Sequence, residues 1–196
     1  MANDRDVPEF ALEALEDAPE ELREALALVA TAAETTPLPV GLRARLLASS
    51  SSSKERFAPF ERRLSELFDL GAERIRELLT EIADPATWTA GPLPGSSLFH
   101  LEGGPRVATA DAGFVRLPAG MPFPHHEHLG DERVLLLEGS YTDSEGRHYR
   151  PGDIHEMPAG SAHAFTVDED SPLLLATVVV TGIEIPGLGA VNVKNS

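Results

Sequence analysis

The sequence predicts an α+β protein, with an α-helical N-terminal region followed by a C-terminal β-barrel. Two observations lead to this prediction. Apolar residues recur at helical spacing between residues 8 and 82. From Ser96 onward they alternate with a period of two, in short runs that turn residues separate. The stretch GPLPG at Gly91–Gly95 divides the two patterns, so we expect a helical domain at residues 1–90 and a barrel domain at residues 91–196.

The helical region is predicted to begin with three short helices and a linker. Pro8 and Pro19 each suit the first position of a helix, where the missing N–H costs nothing. A third short helix follows Pro39. Five consecutive serines, Ser49–Ser53, then predict a flexible linker.

Beyond this linker, two helices are expected to form an αα-hairpin. One covers Phe57–Leu70 with Gly71 as its C-terminal cap, and the other is stopped by Asp84-Pro85. The hairpin could suggest a DNA-binding helix-turn-helix, but its balanced charge favours plain packing. Trp88 is expected to dock the helices on the barrel.

The protein is strongly acidic, with 32 acidic residues, 16 basic residues and a formal net charge of −16. Such a surface repels phosphate backbones, so we do not expect direct binding to nucleic acid. Ten acidic and two basic residues lie within Met1–Glu34, which would suit a basic protein partner. Simple solubility is the alternative explanation of the charge.

The composition argues against several other classes of protein. No run approaches the ~20 apolar residues of a membrane span, and the N-terminus lacks a signal-peptide pattern. We therefore expect a cytoplasmic protein without membrane contact. The chain has no cysteine, which excludes disulfides, thiolate metal sites and cysteine nucleophiles. Any metal must be held by His, Asp or Glu.

Short strands dominate the C-terminal region, separated by turns rich in Gly and Pro. Seven or more short strands at this spacing indicate a sandwich or a barrel. The predicted strands cover Leu98–Glu102, Gly113–Leu117, Val134–Glu138, His148–Arg150, Ile154–Met157, Ala164–Val167 and Leu173–Thr181.

Four residues of this region form a candidate metal site. His126 and His128 share strand parity, so both rings project from one face. Glu132 keeps that parity if the chain runs on, and His163 arrives from a separate strand after a Pro-Ala-Gly turn. Three imidazoles and a carboxylate suit one divalent metal, which could be zinc, iron, manganese or nickel. A polar surface cluster is the alternative.

The other histidines are predicted to have different roles. His125 alternates with the candidate ligands and should face away from the site. His100 and His148 are expected to be structural or exposed. His155 lies on a strand that neighbours the site and is a candidate for an extra ligand or a supporting residue.

The same residues resemble the two sequence motifs of cupins. The first motif, G-x5-H-x-H-x3-E-x6-G, is matched by Gly120, His126, His128, Glu132 and Gly139. The second, G-x5-P-x-G-x2-H-x3-N, is matched by Gly152, Pro158, Gly160 and His163, with Val167 in place of the final Asn. The resemblance implies a double-stranded β-helix, or jelly roll, that binds a metal through the three histidines and Glu132. It also implies a homodimer, which cupins commonly form.

A narrower resemblance is to the ChrR-type anti-sigma factors. In the cupin part it rests on HEHLGDE and EGSYTDSEGRHYRPGDIHEMPAGSAH. In the helical part it rests more loosely on FALEALEDAPEELREALALVATA and PLPVGLRARLLAS. In that family a helical domain binds a sigma factor, and the cupin domain holds zinc and helps to sense stress. The resemblance therefore favours zinc as the metal.

One departure from this family is clear. Its N-terminal zinc motif, H-x3-C-x2-C, is missing, because the chain has no cysteine and no histidine before His100. Sigma-factor binding would then depend on helix packing alone, or be lost.

Three functions remain open at this point. The favoured one is a regulator, whose helical half binds a sigma factor and whose cupin senses stress or a small molecule. The second is a metal-dependent enzyme such as a dioxygenase or an isomerase, with Glu156 or His155 assisting proton transfer and its catalytic residues otherwise unknown. The third is a metal-stabilised barrel without chemistry.

Overall fold

Three short helices begin the part of the chain that is described, residues 53–191 of a computed structural model. Helix α1 covers Ser53–Phe57, α2 covers Glu61–Phe68 and α3 covers Ala72–Glu81, with a 3-10 turn at Ala58–Phe60. Apolar side chains recur every three or four residues along α2 and α3, and this face of each helix is buried. The helices and most of the serine linker predicted before Ser53 lie outside the described residues.

The prediction that Gly71 caps α2 is wrong. Asp69 ends this helix in the left-handed conformation, with φ 56° and ψ 41°. A short polar side chain tolerates that conformation, and the Asp69 carboxylate also accepts hydrogen bonds from the backbone and the side chain of Arg106. Gly71 is extended, with φ −66° and ψ 153°, and immediately precedes α3.

Twelve strands follow in the described residues. They are β1 Thr89–Ala90, β2 Ser97–Leu101, β3 Asp111–Leu117, β4 Pro122–His128, β5 Glu132–Glu138, β6 Tyr141–Asp143, β7 His148–Tyr149, β8 Ile154–Met157, β9 Ala162–Val167, β10 Leu173–Val179, β11 Ile183–Ile185 and β12 Gly189–Val191. All seven predicted strands are present, with ends that differ by at most two residues. The sequence prediction missed β1, β4, β6, β11 and β12.

The strands form two antiparallel sheets of six strands each. The first sheet has the order β1-β2-β3-β10-β5-β8, and the second has the order β12-β11-β4-β9-β6-β7. No ladder joins the two sheets within residues 53–191, so the β-region that we predicted as a barrel of the jelly-roll type is a two-sheet sandwich and is not closed. The chain instead passes from one sheet to the other through short turns. At one such turn Gly139 has φ 70°, and a Cβ atom there would lie 2.4 Å from the carbonyl oxygen of Pro172.

Both faces of the first sheet are buried, each against a different partner. Alternate residues of β10 point to opposite faces. Leu174 and Ala176 pack with Phe68 of α2 in one cluster, whereas Leu173 and Leu175 pack with side chains of the second sheet in another. The layers are therefore helices, first sheet and second sheet, which explains why β10 reads as a continuous apolar run.

A compact joint links the end of α3 to the first sheet. The indole N–H of Trp88 donates a hydrogen bond to the carbonyl of Ile82 at 3.0 Å, and its ring lies 5.9 Å from the ring of Phe99. The guanidinium of Arg116 lies 4.2 Å from the centre of the same indole and donates to the same carbonyl. The predicted docking by Trp88 is confirmed, while the domain boundary at residue 90 stays a prediction.

Within residues 53–191, no helix combines the length and the apolar character needed to cross a bilayer.

Candidate metal centre

Three of the four predicted ligands meet between the sheets because β4 and β9 are paired neighbours. The register places His126 directly opposite His163, and His128 follows two residues later on the same face. The ring centres of these histidines lie 4.6 to 5.2 Å apart, and one nitrogen from each lies within 4.8 Å of the others. All three rings are buried, with 1% to 9% of their residue surface exposed.

Glu132 approaches the histidines from the facing sheet. It is the first residue of β5, so the expected continuation of strand parity from His128 is wrong: a turn carries the chain across to the first sheet. One carboxylate oxygen of Glu132 lies 3.2 Å from Nε2 of His128. The other accepts a hydrogen bond of 3.0 Å from the hydroxyl of Thr177 on β10. Thr177 thus orients the carboxylate, a role that sequence analysis missed.

Backbone carbonyls fix the orientation of two rings. Nδ1 of His126 lies 2.9 Å from the carbonyl oxygen of Pro124, and Nδ1 of His128 lies 3.0 Å from that of Ser161. A carbonyl only accepts hydrogen bonds, so in each neutral ring Nδ1 carries the proton. Nε2 is then left with its lone pair, which is the arrangement of a metal-binding histidine.

The local chemistry fits a cation. Nε2 of His128 is buried and, among the described residues, has no hydrogen-bond partner that meets geometric criteria, although a Glu132 oxygen is 3.2 Å away. The short distance without a directed N–H is what two ligands of one ion would show. Burial lowers the pKa of His126. Burial and the neighbouring histidines lower the pKa of His163 to about 3, so both rings are neutral at pH 7.

The pKa of His128 moves in the opposite direction. Burial opposes the charged ring, but the close approach of the Glu132 carboxylate, its negative charge and the Ser161 carbonyl together raise the pKa of His128 above its ordinary value. A cation that replaced this proton would face the same carboxylate and would satisfy the buried nitrogen.

A second group of polar side chains lies next to His163. Asp143 and His155 each place a ligand atom within 4.8 Å of a His163 nitrogen, and Nδ1 of His155 lies 2.7 Å from the hydroxyl of Tyr141. Both carboxylate oxygens of Asp143 already accept hydrogen bonds, from the backbone N–H groups of Glu145 and Arg147 and from the side chain of Arg147. These residues lie beside the site, and sequence analysis identified only His155 among them, from the strand on which it lies.

The other residues considered from sequence lie outside the site. His125 is exposed, as predicted, and so are His100 and His148. The Asp168 carboxylate accepts a hydrogen bond of 2.7 Å from Nε2 of His148. Glu156, expected as a possible acid-base group, is exposed and forms a surface ion pair of 2.8 Å with Arg133, so that expectation is wrong.

A cavity of about 110 Å³ opens between the sheets beside the candidate ligands. His126, Glu132 and His163 form part of its wall, and Pro92 and Leu93 form another part. The cavity therefore adjoins both the histidine cluster and the segment that leads from the helices into the first sheet.

Comparison with known proteins agrees with this architecture. Residues 77–179 match the family model described as the ChrR cupin-like domain. No curated protein matches the chain.

Several solved structures are similar to this chain at low sequence identity. Rhodobacter sphaeroides SigE in complex with the anti-sigma ChrR matches with 18% identity over 81% of this chain and 76% of that chain, at a TM-score of 0.46. An acetylacetone dioxygenase from Acinetobacter johnsonii matches with 14% identity over 58% and 77%, at 0.44. A cupin-like protein of unknown function from Ralstonia eutropha JMP134 matches with 21% identity over 44% of this chain, at 0.39; the match spans 55% of that protein's length. These likenesses concern the fold alone.

Proposed function

The chain belongs to the ChrR cupin-like family, and we propose that it is a metal-binding regulator whose cupin senses stress or a small molecule and whose helical half binds a sigma factor. The observation that carries this proposal is the wall of the inter-sheet cavity, which combines candidate metal ligands with Pro92 and Leu93. The proposal retains a helical part at residues 1–90, a cupin part at residues 91–196 and a cytoplasmic location.

We propose that His126, His128, Glu132 and His163 hold one divalent metal, with zinc favoured by the family. Neutral buried imidazoles with oriented Nε2 atoms, a facing carboxylate and a buried nitrogen without a hydrogen bond support this assignment. A bound zinc ion would supply a Lewis-acidic positive charge at the cavity wall. The protein would supply the orientation, through the carbonyls of Pro124 and Ser161 and the hydroxyl of Thr177.

The segment between the helices and the first sheet offers a route from the cavity to the helical part. The hydroxyl of Ser96 donates to the Leu93 carbonyl at 2.6 Å and accepts from the Leu93 N–H, and the Gly91 N–H donates to the Ser96 carbonyl. This turn begins three residues after Trp88, which is hydrogen-bonded to the end of α3. A change in the cavity that moved Leu93 would therefore reach α3 through a few rigid contacts.

The proposed partner follows from charge and family. The acidic stretch Met1–Glu34 would meet a basic surface of a sigma factor, an arrangement that speeds association and excludes other partners. The chain lacks the cysteines of the family's N-terminal zinc motif, so helix packing would have to supply this interface. The homodimer implied by the cupin resemblance stays a prediction, which light scattering of the purified protein would test.

The experiment combines metal analysis with partner capture. Protein purified from its own host is analysed for metal and tested for binding to each of the host's sigma factors. We expect stoichiometric zinc and binding to one sigma factor. We expect His126→Ala and His163→Ala to lose the metal, whereas the matched control His125→Ala, an exposed neighbour, keeps it.

Each negative result has a distinct meaning. Failure of the metal-loaded protein to bind any sigma factor would contradict the regulatory proposal. Loss of metal without any change in partner binding by the folded variants would make the metal purely structural.

A metal-dependent enzyme, such as a dioxygenase or an isomerase, is the second candidate. The cavity beside the candidate ligands favours it, because a small molecule would have room to reach the metal. The hydrogen-bonded pair of Tyr141 and His155 would be the group that holds or moves a proton near His163. A redox-active metal together with turnover of a catechol, thiol or diketone would support this candidate, whereas zinc without turnover would count against it.

A further inference from the structure

The walls of the inter-sheet cavity are mostly apolar. Val115 and Leu175 line it from the first sheet, Phe165 from the second, and Leu93 from the segment that follows the helices. Its volume of about 110 Å³ is of the same order as the ~150 Å³ engineered cavity that admits benzene. The space therefore suits a molecule with an apolar body that is about the size of one six-membered ring.

The polar wall residues outside the histidine cluster are already engaged by the protein. The hydroxyl of Ser96 is hydrogen-bonded to the backbone of Leu93, and that of Thr177 to the carboxylate of Glu132. The hydroxyl of Tyr141 is hydrogen-bonded to the ring of His155. Asp111 lies 3.5 Å from a ring nitrogen of His100. The hydroxyl protons of Ser96 and Thr177 are thus already donated within the protein. A hydrogen-bond acceptor on an occupant would have to break one of these contacts or remain without a partner, which costs free energy when it is buried.

The charges around the cavity also restrict its occupant. Among residues 53–191, its lining includes the carboxyl groups of Asp111 and Glu132 but no lysine or arginine. A ligand anion that projected away from the metal ligands would therefore meet no counter-charge on the wall. An oxygen donor of the ligand would find a partner at the histidine cluster, where the proposed metal would bind it.

We propose that this cavity is the binding site for a small, uncharged and largely apolar molecule that carries one oxygen donor. The inference rests on the proposed function, because the donor would face the metal held by the histidines and Glu132. The apolar body lies between Val115, Leu175 and Phe165 and reaches Leu93. Occupation of the cavity is then coupled to the position of the Leu93 turn.

A matched series of cyclic ketones tests this ligand class on the full-length, zinc-loaded protein. 4-Methylcyclohexanone and 1,4-cyclohexanedione have the same number of heavy atoms and the same ketone head, but they differ at the far end by a methyl group or an oxygen. 4-Oxocyclohexanecarboxylate carries a negative charge at that end. We expect ligand-observed NMR to show binding of 4-methylcyclohexanone at least ten times tighter than the dione, with the carboxylate weaker still.

Two variants sharpen the test. Val115→Arg places a cation at the cavity wall and should reverse the order, so that 4-oxocyclohexanecarboxylate binds better than 4-methylcyclohexanone. The control Thr166→Arg adds the same charge at an exposed position of β9 and should leave the order unchanged. The wild-type series decides the question if Val115→Arg does not fold.

The outcomes separate this inference from the function on which it rests. Equal or tighter binding of the dione or the carboxylate by the wild-type protein overturns the apolar ligand class, and so does the absence of binding by all three ketones. Zinc content and sigma-factor capture, measured on the same preparation, would still show whether the regulatory proposal stands.

Discussion

The two faces of the first sheet have similar apolar side chains but different neighbours. On one face Leu174, Ala176 and Val178 of β10 pack against the helices in a filled core. On the other face Leu175 and Thr177 border the cavity and the candidate ligands. One strand thus anchors the helices with one set of residues and shapes the site with the alternate set. The difference suggests that stability is concentrated on the helix side and binding on the cavity side.

The largest expected effects come from truncating neighbouring leucines of β10. We expect Leu174→Ala to lower the free energy of unfolding by about 3–5 kcal/mol, because it leaves a void in a filled core. Leu175→Ala should cost about 2–3 kcal/mol, since a side chain that already borders a cavity has fewer contacts to lose. Urea unfolding of both variants measures the two values.

This pair of variants has a built-in control, since both replacements have the same chemistry on adjacent residues. Metal content per folded molecule should be unchanged in Leu174→Ala. Equal losses of stability in the two variants would contradict the difference in packing between the two faces.

Acid should destabilise the metal-free protein because of His163, which lines the cavity. His163 has a pKa of about 3 in the folded state, against ~6.5 in an unfolded chain. The unfolded chain therefore gains a proton as the pH falls below ~6.5 while folded His163 does not. Stability should be lost progressively from pH 6.5 toward pH 3, at about 1.4 kcal/mol per pH unit for this residue.

Other histidines change this slope in known directions. Lowered pKa values of His126 and His155 steepen the slope below pH ~6.5. The raised pKa of His128 opposes the slope only near and above pH ~6.5, because below that pH this ring is protonated in both states. Urea unfolding of the metal-free protein between pH 7 and pH 5.5 gives the net slope. His163→Gln should flatten it, and an unchanged slope in that variant would show that His163 is not the source.

A smaller effect is expected from the residue that orients Glu132. Thr177→Val keeps the shape of the side chain but removes the hydroxyl that donates to the carboxylate. Loss of such a supporting hydrogen bond typically lowers metal affinity about 10- to 100-fold. Competition with a chelator measures the affinity, and Thr166→Val on the exposed face of β9 serves as the control. An affinity equal to that of the wild type would show that Glu132 needs no support or is not a ligand.

Local sequence patterns explain which parts of the fold and the site were predictable. The apolar run in β5 and the turn before His163 depend on neighbours in the chain, so seven strands and the side-chain directions of His126 and His128 were predicted. Glu132 joins the histidines only because a turn transfers the chain to the opposite sheet, and its partner Thr177 is 45 residues away. Such contacts depend on sheet order, which no local pattern records. The same limitation explains why a closed barrel was expected.

The smallest effect is expected on the surface of the first sheet. Arg133 follows Glu132 on β5 and points to solvent, where it forms an ion pair of 2.8 Å with Glu156. Both side chains are more than half exposed, so water screens the pair and its removal should change the free energy of unfolding by at most about 0.5 kcal/mol. Arg133→Gln should therefore match the wild type in urea unfolding and in metal content. A loss of metal in this variant would mean that the strand position next to Glu132 affects the site through the backbone, and the two faces of β5 would no longer act independently.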